Sequence, residues 1–356
     1  MIIKTLTIKN FRNHAYLSYD FQPNLNIFTG YNAVGKTNVM EAIYYLSLAR
    51  SFKAAEDEEL IQKGKDYAEI SAVTTEGKLD RKIRILIAPT GKQIFINGKK
   101  ISKISELSNI MNVLLFEPKD VMMFRGSPKA RRNFLDINLS KKSLPYLDYI
   151  SRYNKVLKER NDLLKENNID PVLLETTTEM LVKLSGPIVS YRQMYVKDIN
   201  DILIKITRAL TGEEGKLEII YKPFVPYGKD FQKEALEAFK RAEERDFHSK
   251  ATSIGIHRED FSISLNGRDI GQFGSQGENR IVALALKLSP YFLIDDKDKR
   301  PIVVLDDVMS ELDATHRQRL IKFVQKFEQV FITATRLEVA GAAQYQIKKP
   351  KEKEVF

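Results

Sequence analysis

Gly30-Tyr31-Asn32-Ala33-Val34-Gly35-Lys36-Thr37 is a complete Walker A pattern, and its neighbours say how it is mounted. Before it, Leu25-Asn26-Ile27-Phe28 reads as a short strand. After it, from Thr37 to Arg50, Val39, Ile43 and Leu46 fall on one stripe with Met40, Tyr44 and Leu48 beside it, as a buried helix requires. Glycines let the turn fold tightly enough to aim successive backbone N–H groups at phosphate oxygens, and the helix adds its positive dipole end. In such a loop Lys36 reaches the β and γ phosphates of ATP, and Thr37 offers its hydroxyl to Mg²⁺. A glycine turn merely capped by Thr37 is the plain alternative; the strand before and the helix after favour the phosphate loop.

Pro301-Ile302-Val303-Val304-Leu305-Asp306-Asp307 is an apolar run that ends in two carboxylates, the form of a Walker B strand. A buried parallel strand delivers Asp306 beside the phosphate loop, where it holds Mg²⁺ through water, and places Asp307 to polarise the attacking water. Upstream, Phe273-Gly274-Ser275-Gln276-Gly277-Glu278-Asn279-Arg280 precedes an apolar helix over Ile281 to Leu288. Two readings of it stand. Ser275 and Glu278 have the spacing of a capping box, which needs no ligand. The Gly-Ser-Gln-Gly terminus also matches the ABC signature, whose helix end points at the γ-phosphate held by a second protomer, and its place ahead of Walker B favours that reading. Ser310-Glu311-Leu312-Asp313 follows at D-loop distance. Val330-Phe331-Ile332-Thr333 then leads to Ala334-Thr335, where many ABC proteins carry a switch histidine; here Thr333 or Thr335 is the candidate γ-phosphate sensor.

A chain of 356 residues, 43% hydrophobic and 29% charged, is long enough to bury a sizeable core. The net charge of +10 attracts polyanions at long range. No cysteine is present, which excludes disulfides, thiolate metal sites and thiol catalysis. His14, His248, His257 and His316 show no i, i+4 pairing suited to zinc. Met1-Ile2-Ile3-Lys4 opens a strand rather than a leader, and no window approaches a membrane span, so a cytoplasmic protein is expected.

Leu6 and Ile8, Tyr16 to Phe21, and Ile83, Ile85 and Ile87 alternate as strands. Asn97-Gly98 and Asn266-Gly267 tolerate positive φ and close two-residue hairpins. Between Asp136 and Lys250 the strand signals fade. Leu144 to Leu164, Val172 to Gly186, Ser190 to Leu210 and Phe231 to Arg245 are candidate helices there, interrupted by Pro171, Gly186-Pro187 and Gly212. Those breaks leave no sustained heptads for a long coiled coil. The expected fold is therefore α/β: an ABC-type P-loop ATPase head, its mixed sheet carrying β-hairpins, with an inserted, mainly helical arm. Residues 1–125 and 251–356 are read as head and 126–250 as arm, with Lys348 to Lys353 a frayed tail.

Further segments recur in order along nearly the whole chain. They are Asn10-Phe11-Arg12-Asn13, Thr37-Asn38, Phe116-Glu117-Pro118-Lys119-Asp120, the run Gly126 to Asp136, Leu157-Lys158-Glu159-Arg160-Asn161, Gly255-Ile256-His257-Arg258-Glu259-Asp260 and the run Leu305 to Asp313. With the Walker and signature motifs they make the chain resemble the RecF family of ABC/SMC-type ATPases. That resemblance implies an ATP-dependent homodimer that binds DNA at gaps, single-/double-strand junctions or duplex, and a slow, DNA-stimulated hydrolysis that releases it. It further implies work in recombinational repair, replication restart and the SOS response, with RecR and RecO as partners in recombinase loading. Carried over by position, the family's nucleotide site adds Arg12 and Asn38 to the loop residues and takes Ser275, Gln276 and Gly277 from the second copy, with Lys36, Asp307 and Gln276 in the catalytic step. Departures are Val34, where many relatives have a polar residue, and Glu278 and Asn279, where Gln is common.

For DNA, Lys129, Arg131 and Arg132 precede the arm, and Lys141, Lys142, Arg152, Lys155, Lys158 and Arg160 lie on its first part. Such cations suit phosphates, giving shape-guided, salt-sensitive binding. Glu159, Asp162 and Glu166 interleave with them, which leaves a solvated charged helix as the other reading, and Arg131-Arg132 as an anchor of the arm to the head. The rival classes are an SMC-like structural head, an ABC ATPase subunit of another system such as a transporter, and a metabolic P-loop kinase. A structural head needs long heptad arms, a transporter subunit a shorter helical insert, and a kinase has no use for the signature.

Overall fold

The computed structural model describes residues 1–123 and 126–348. The tail marked as frayed lies, beyond Lys348, outside the described residues. In chain order the strands begin with β1 (Ile2–Phe11), β2 (His14–Asp20), β3 (Asn24–Thr29), β4 (Ala68–Glu76), β5 (Leu79–Ala88), β6 (Gly91–Ile96) and β7 (Lys99–Ile101). They continue with β8 (Val113–Phe116), β9 (Leu217–Lys222), β10 (Asp260–Leu265), β11 (Arg268–Asp269), β12 (Ile302–Leu305), β13 (Gln329–Ala334) and β14 (Ala343–Gln346). The α-helices are α1 (Lys36–Leu48), α2 (Ile104–Ile110), α3 (Pro128–Lys142), α4 (Leu144–Leu163), α5 (Pro171–Thr211), α6 (Phe231–Ser249), α7 (Ile270–Phe273), α8 (Gln276–Phe292) and α9 (Ala314–Val324). Among the described residues no helix is long and apolar enough to cross a membrane.

Internal contacts divide the chain into a head unit (Met1–Asp120, Ile206–Glu213 and Ala283–Phe356) and an arm unit (Val121–Lys205 and Glu214–Val282). The division differs from the one read from the sequence. Residues 251–282, signature turn included, go with the arm because β10 pairs with β9, and residues 206–213 go with the head.

The head unit is built from two sheets that share one core. The first runs β14-β3-β13-β12-β8, every pairing parallel. The second runs β2-β1-β4-β5-β6-β7, every pairing antiparallel. Strands of a parallel sheet are covered on both faces, and every residue of β12 and β13 is buried. In β5 only one face is covered: Ile83, Ile85 and Ile87 point inward while Lys82 and Arg84 stay in solvent. Helix α1 fills the core, with Val39, Met40, Ile43 and Leu46 packed among Leu6 and Ile8 of β1, Phe28 of β3, Val304 of β12 and Phe331 of β13. Asn97 and Gly98, at φ 50° and 82°, form the expected hairpin between β6 and β7.

The arm unit, expected to be mainly helical, adds two features. Leu217-Glu218-Ile219-Ile220-Tyr221-Lys222 forms β9, the outer strand of a sheet ordered β11-β10-β9. Its composition matches the helices around it, so only its partner distinguishes it. The open edge of β9 is closed at Ile219, where the Asn200 amide accepts from the backbone N–H at 2.7 Å and donates to the carbonyl at 3.0 Å. Second, the two helices expected on either side of Gly186-Pro187 are one helix, α5, with Pro187 inside it. A proline there costs about 3 kcal/mol; burial of Leu184, Ile188 and Val189 on both sides holds the helix together.

Two arginines organise the arm interior. Arg192, 1% exposed, donates to Glu259 at 2.6 Å, Asp136 at 2.7 Å and the Ile256 carbonyl at 3.0 Å. Arg160, 2% exposed, donates to Asp246 and Thr252 at 2.8 Å and to Thr178 at 2.9 Å. Buried guanidinium groups persist only when their N–H donors meet acceptors in this way. The recurrent segments around Arg160 and Glu259 therefore serve arm architecture. Arg192→Met leaves Glu259 charged and unpaired, and is expected to lower unfolding stability by about 3–5 kcal/mol; urea titration of the variant against the parent checks this.

Candidate nucleotide site

Strand β3 ends at Thr29, and the chain turns through Gly30 (φ 151°), Ala33 (φ 65°) and Gly35 (φ 103°) into α1 at Lys36. The turn is braced from the β1–β2 connection. A Cβ on Gly35 would sit 2.3 Å from Nε2 of His14, so no side chain fits there. His14 Nε2–H donates to the Gly35 carbonyl at 3.1 Å, and burial holds its pKa below the ordinary value, keeping the ring neutral. Asn13 Nδ2 donates to the Val34 carbonyl at 3.2 Å and Asn38 Nδ2 to Asn13 Oδ1 at 2.7 Å. Val34 itself is 2% exposed within the core, which explains an apolar residue at that position. Tyr31, Asn32 and Ala33 are exposed.

Lys36 Nζ donates to the carbonyls of Gly30 at 2.7 Å and Tyr31 at 2.8 Å. Partial burial lowers its pKa, with Asp307 and Asp306 opposing. Thr37 Oγ1 donates to Asp306 Oδ1 at 3.1 Å, so the two groups expected to hold Mg²⁺ adjoin although 269 residues separate them. Asp306 is 4% exposed at the end of β12. Burial raises its pKa, and hydrogen bonds from Thr333 and Thr37 offset this in part. Thr333 does more than the sequence suggested: its hydroxyl donates to Asp306 at 2.8 Å and accepts from the Asp307 N–H at 2.8 Å. It is therefore committed to the Asp306 carboxylate and the Asp307 backbone, while Thr335, just past β13, is exposed. Asp307 has a left-handed backbone (φ 50°) and is itself exposed. Ser310 Oγ donates to the Asp307 carbonyl at 2.9 Å, tying the D-loop segment to Walker B.

Arg12 is pinned. Its guanidinium grips Glu41 of α1 at 2.7 and 2.9 Å and donates to the Glu59 carbonyl at 3.0 Å. Glu41 is fully buried and was not among the sequence candidates; a carboxylate on an apolar helix stripe was its only signal. Arg12, Asn13, Asn38, Lys53 and Lys63 line an open cleft of about 910 Å³. The residues fit a triphosphate with Mg²⁺: a loop that excludes Cβ atoms, a lysine, and a hydroxyl beside a carboxylate. Among the described residues no group of three His, Asp or Glu side chains forms a metal cage.

In the arm unit the Ser275–Glu278 turn is a capping box with an exposed outer face. The capping box exists: Ser275 N–H donates to Glu278 Oε2 at 2.8 Å and Glu278 N–H to Ser275 Oγ at 3.2 Å. Ser275, Gln276 and Gly277 are nonetheless exposed. The proposed DNA cations separate into two groups. Arg131 grips Asp260 at 2.7 and 2.8 Å and donates to the carbonyls of Met123 and Gly126, and Arg132 donates to the Glu259 carbonyl at 2.7 Å. Both are held by partners within the arm unit. Lys129, Lys142, Lys155 and Lys158 are exposed, Lys142 beside Asp198 at 3.2 Å and Lys155 beside Glu159 at 3.9 Å; Lys141 is half-buried.

The sequence matches the family described as RecF/RecN/SMC N terminal domain over residues 2–354. It is 36% identical over 339 residues, 95% of this chain and 94% of the other, to the DNA replication and repair protein RecF of Clostridium novyi. A solved structure of the recombination mediator protein RecF-ATP in RecFOR pathway superposes with a TM-score of 0.87 at 30% identity, covering 98% of this chain and 97% of that one. An Smc head domain from Pyrococcus furiosus is similar in fold, with a TM-score of 0.58 at 18% identity over 94% of this chain and 89% of its own.

Because the buried Asp306 carboxyl titrates above its unfolded value, charging it opposes folding. That unfavourable contribution is absent below the ordinary carboxylate range, where both states are protonated, and grows as pH rises through it. Asp306→Asn should thus raise Tm at neutral pH, with the gain narrowing as pH falls; thermal melts across pH measure it.

Proposed function

The chain belongs to the RecF family, among the RecF/RecN/SMC ATPase heads, and we propose that it is an ATP-gated DNA-binding protein of replication and recombinational repair. In this reading two copies close on ATP, clamp DNA at a gap, junction or duplex, and reopen after slow, DNA-stimulated hydrolysis. The observation that carries it is the divided equipment of one chain. The head holds Lys36, Thr37 and Asp306 around a phosphate loop, while the exposed Ser275-Gln276-Gly277 turn uses the Ser275 N–H on Glu278 and leaves the first N–H groups of α8 without intrahelical partners. Those donors suit a triphosphate bound by a second copy.

The residues divide the work as follows. Lys36 exchanges its two carbonyl partners for phosphate oxygens. Thr37 and Asp306 hold Mg²⁺, which when bound neutralises charge on the transferred phosphoryl group. Asp307, oriented by the Thr333 hydroxyl at its N–H, accepts a proton from the attacking water. Gln276 of the second copy orients the same water or the γ-phosphate. Among the cations, Lys129, Lys155 and Lys158, with Lys141 and Lys142, are the DNA-contact candidates that this reading retains; such contacts weaken with salt and read no sequence. RecR and RecO as partners in recombinase loading, and a cytoplasmic location, follow from family membership.

Lys36→Ala is expected to abolish nucleotide binding, whereas Ser275→Arg should bind ATP and fail to dimerise; particle mass with and without ATP and Mg²⁺ tells the two apart. A Ser275→Arg protein that dimerised like the parent would sink the two-copy site. Asp307→Asn should hold the ATP-bound dimer on DNA with turnover reduced at least about a hundredfold, read from phosphate release and gapped-DNA retention.

A further inference from the structure

We propose that Glu41 is a positioning residue of the nucleotide cleft: one fully buried carboxylate that holds the Arg12 guanidinium on one side and, through Ser51, the turn carrying Lys53 on the other. The inference rests on the ATP site proposed above and gives a task within it to a residue that no motif of the sequence singles out.

Glu41 stands on α1 one helical turn beyond Thr37, so the two side chains leave the same face of the helix. Its Oε2 accepts from Arg12 Nε–H at 2.9 Å, and its Oε1 accepts from Arg12 Nη2–H at 2.7 Å and from the Ser51 hydroxyl. With its only hydrogen given to Glu41, Ser51 Oγ has lone pairs left to offer. They accept from the backbone N–H groups of Lys53 at 2.8 Å and Ala54 at 2.7 Å. The serine thus passes the hold of the carboxylate on to the backbone of the turn. Phe52, between them, packs edge-on to Tyr44 of α1 with ring centres 5.6 Å apart, and its carbonyl accepts from Lys119 Nζ at 2.7 Å.

Both groups that the clasp fixes face the cleft. Arg12 and Lys53 line it together with Asn13 and Asn38, the residues that brace the phosphate loop. A guanidinium has five N–H donors; Arg12 gives two to Glu41 and one to the Glu59 carbonyl, and the others stay open to an outside acceptor. Lys53 is exposed, and its charge reaches Asp306, where it opposes the upward pull of burial on that carboxyl. A structural ion pair needs only Arg12. The further bond to Ser51, and the convergence of both held segments on one cleft, are what a positioning role requires: cations set in place before the anion arrives cost less to order when it binds.

The test titrates the full chain with ATP and Mg²⁺ by calorimetry, with thermal melts of each variant alongside. Glu41→Gln keeps the shape of the side chain but sets an NH₂ group against either an Arg12 N–H or the Ser51 hydroxyl, so one side of the clasp opens. It is expected to bind ATP about tenfold more weakly, the size of one hydrogen bond to a charged group. Because Glu41 acts through Arg12, the double variant Arg12→Gln with Glu41→Gln should bind no more weakly than Arg12→Gln alone, a non-additivity that a purely structural role does not produce. Ser51→Ala, which frees the turn and leaves the Arg12 clasp intact, should lose affinity several-fold with little change in Tm. If Glu41→Gln melts lower yet binds ATP like the parent, Glu41 is a structural ion pair only and the proposal is refuted. Losses that multiply in the double variant, or parent-like affinity in Ser51→Ala, overturn it equally, and these two variants decide the matter should Glu41→Gln fail to fold. Lys36→Ala run beside them keeps the two readings apart: parent-like ATP binding there removes the site itself, whereas its loss with Glu41→Gln unimpaired removes only the positioning role.

Discussion

A carboxylate kept almost out of water is the constraint around which the head is arranged. Asp306 ends a strand with no exposed residue, and burying a charge there is unfavourable unless hydrogen bonds replace its hydration. Two threonines provide them, Thr37 from the first turn of α1 and Thr333 from β13. The parallel sheet makes this possible. With β13 lying between β3 and β12, the phosphate loop and both Walker B carboxylates emerge at the same end of the sheet. Burial raises the Asp306 pKa, and the two threonine hydrogen bonds offset this in part.

The phosphate loop is braced by an equivalent device. Its carbonyls are held by Asn13, His14 and Lys36. Arg12 is also occupied beforehand, by Glu41. Any contact it makes to a nucleotide comes from a guanidinium already oriented, at lower entropic cost than a free side chain would incur.

In the arm the comparable constraint is met by Arg160 and Arg192, each surrounded by acceptors from separate parts of the chain. They explain why charged motifs recur in a segment otherwise read as amphipathic helix. A count of basic residues likewise does not say which cations are free of protein partners: Arg131 and Arg132 look equivalent to Lys129 in sequence, yet hydrogen bonds to Asp260 and to backbone carbonyls hold them.

Local chemistry sufficed for the Walker A loop, the Walker B strand, α1, α4 and both Asn-Gly hairpins. In each the deciding feature, a glycine at positive φ, a continuous apolar run or a helical stripe, lies within a few residues. The capping box and the signature were both legible at Ser275 and Glu278 for the same reason, and both readings persist because a cap uses some N–H groups and leaves others. What the sequence by itself determined is thus the set of short segments that carry the phosphate-loop, Walker B and signature patterns. The strand β9, the unbroken α5, the Glu41 clasp on Arg12 and the Thr333 bridge were decided only by tertiary structure. A strand needs its neighbour, a helical proline needs buried flanks to outweigh its lost hydrogen bond, and a buried charge takes whichever partner the fold brings within 3 Å.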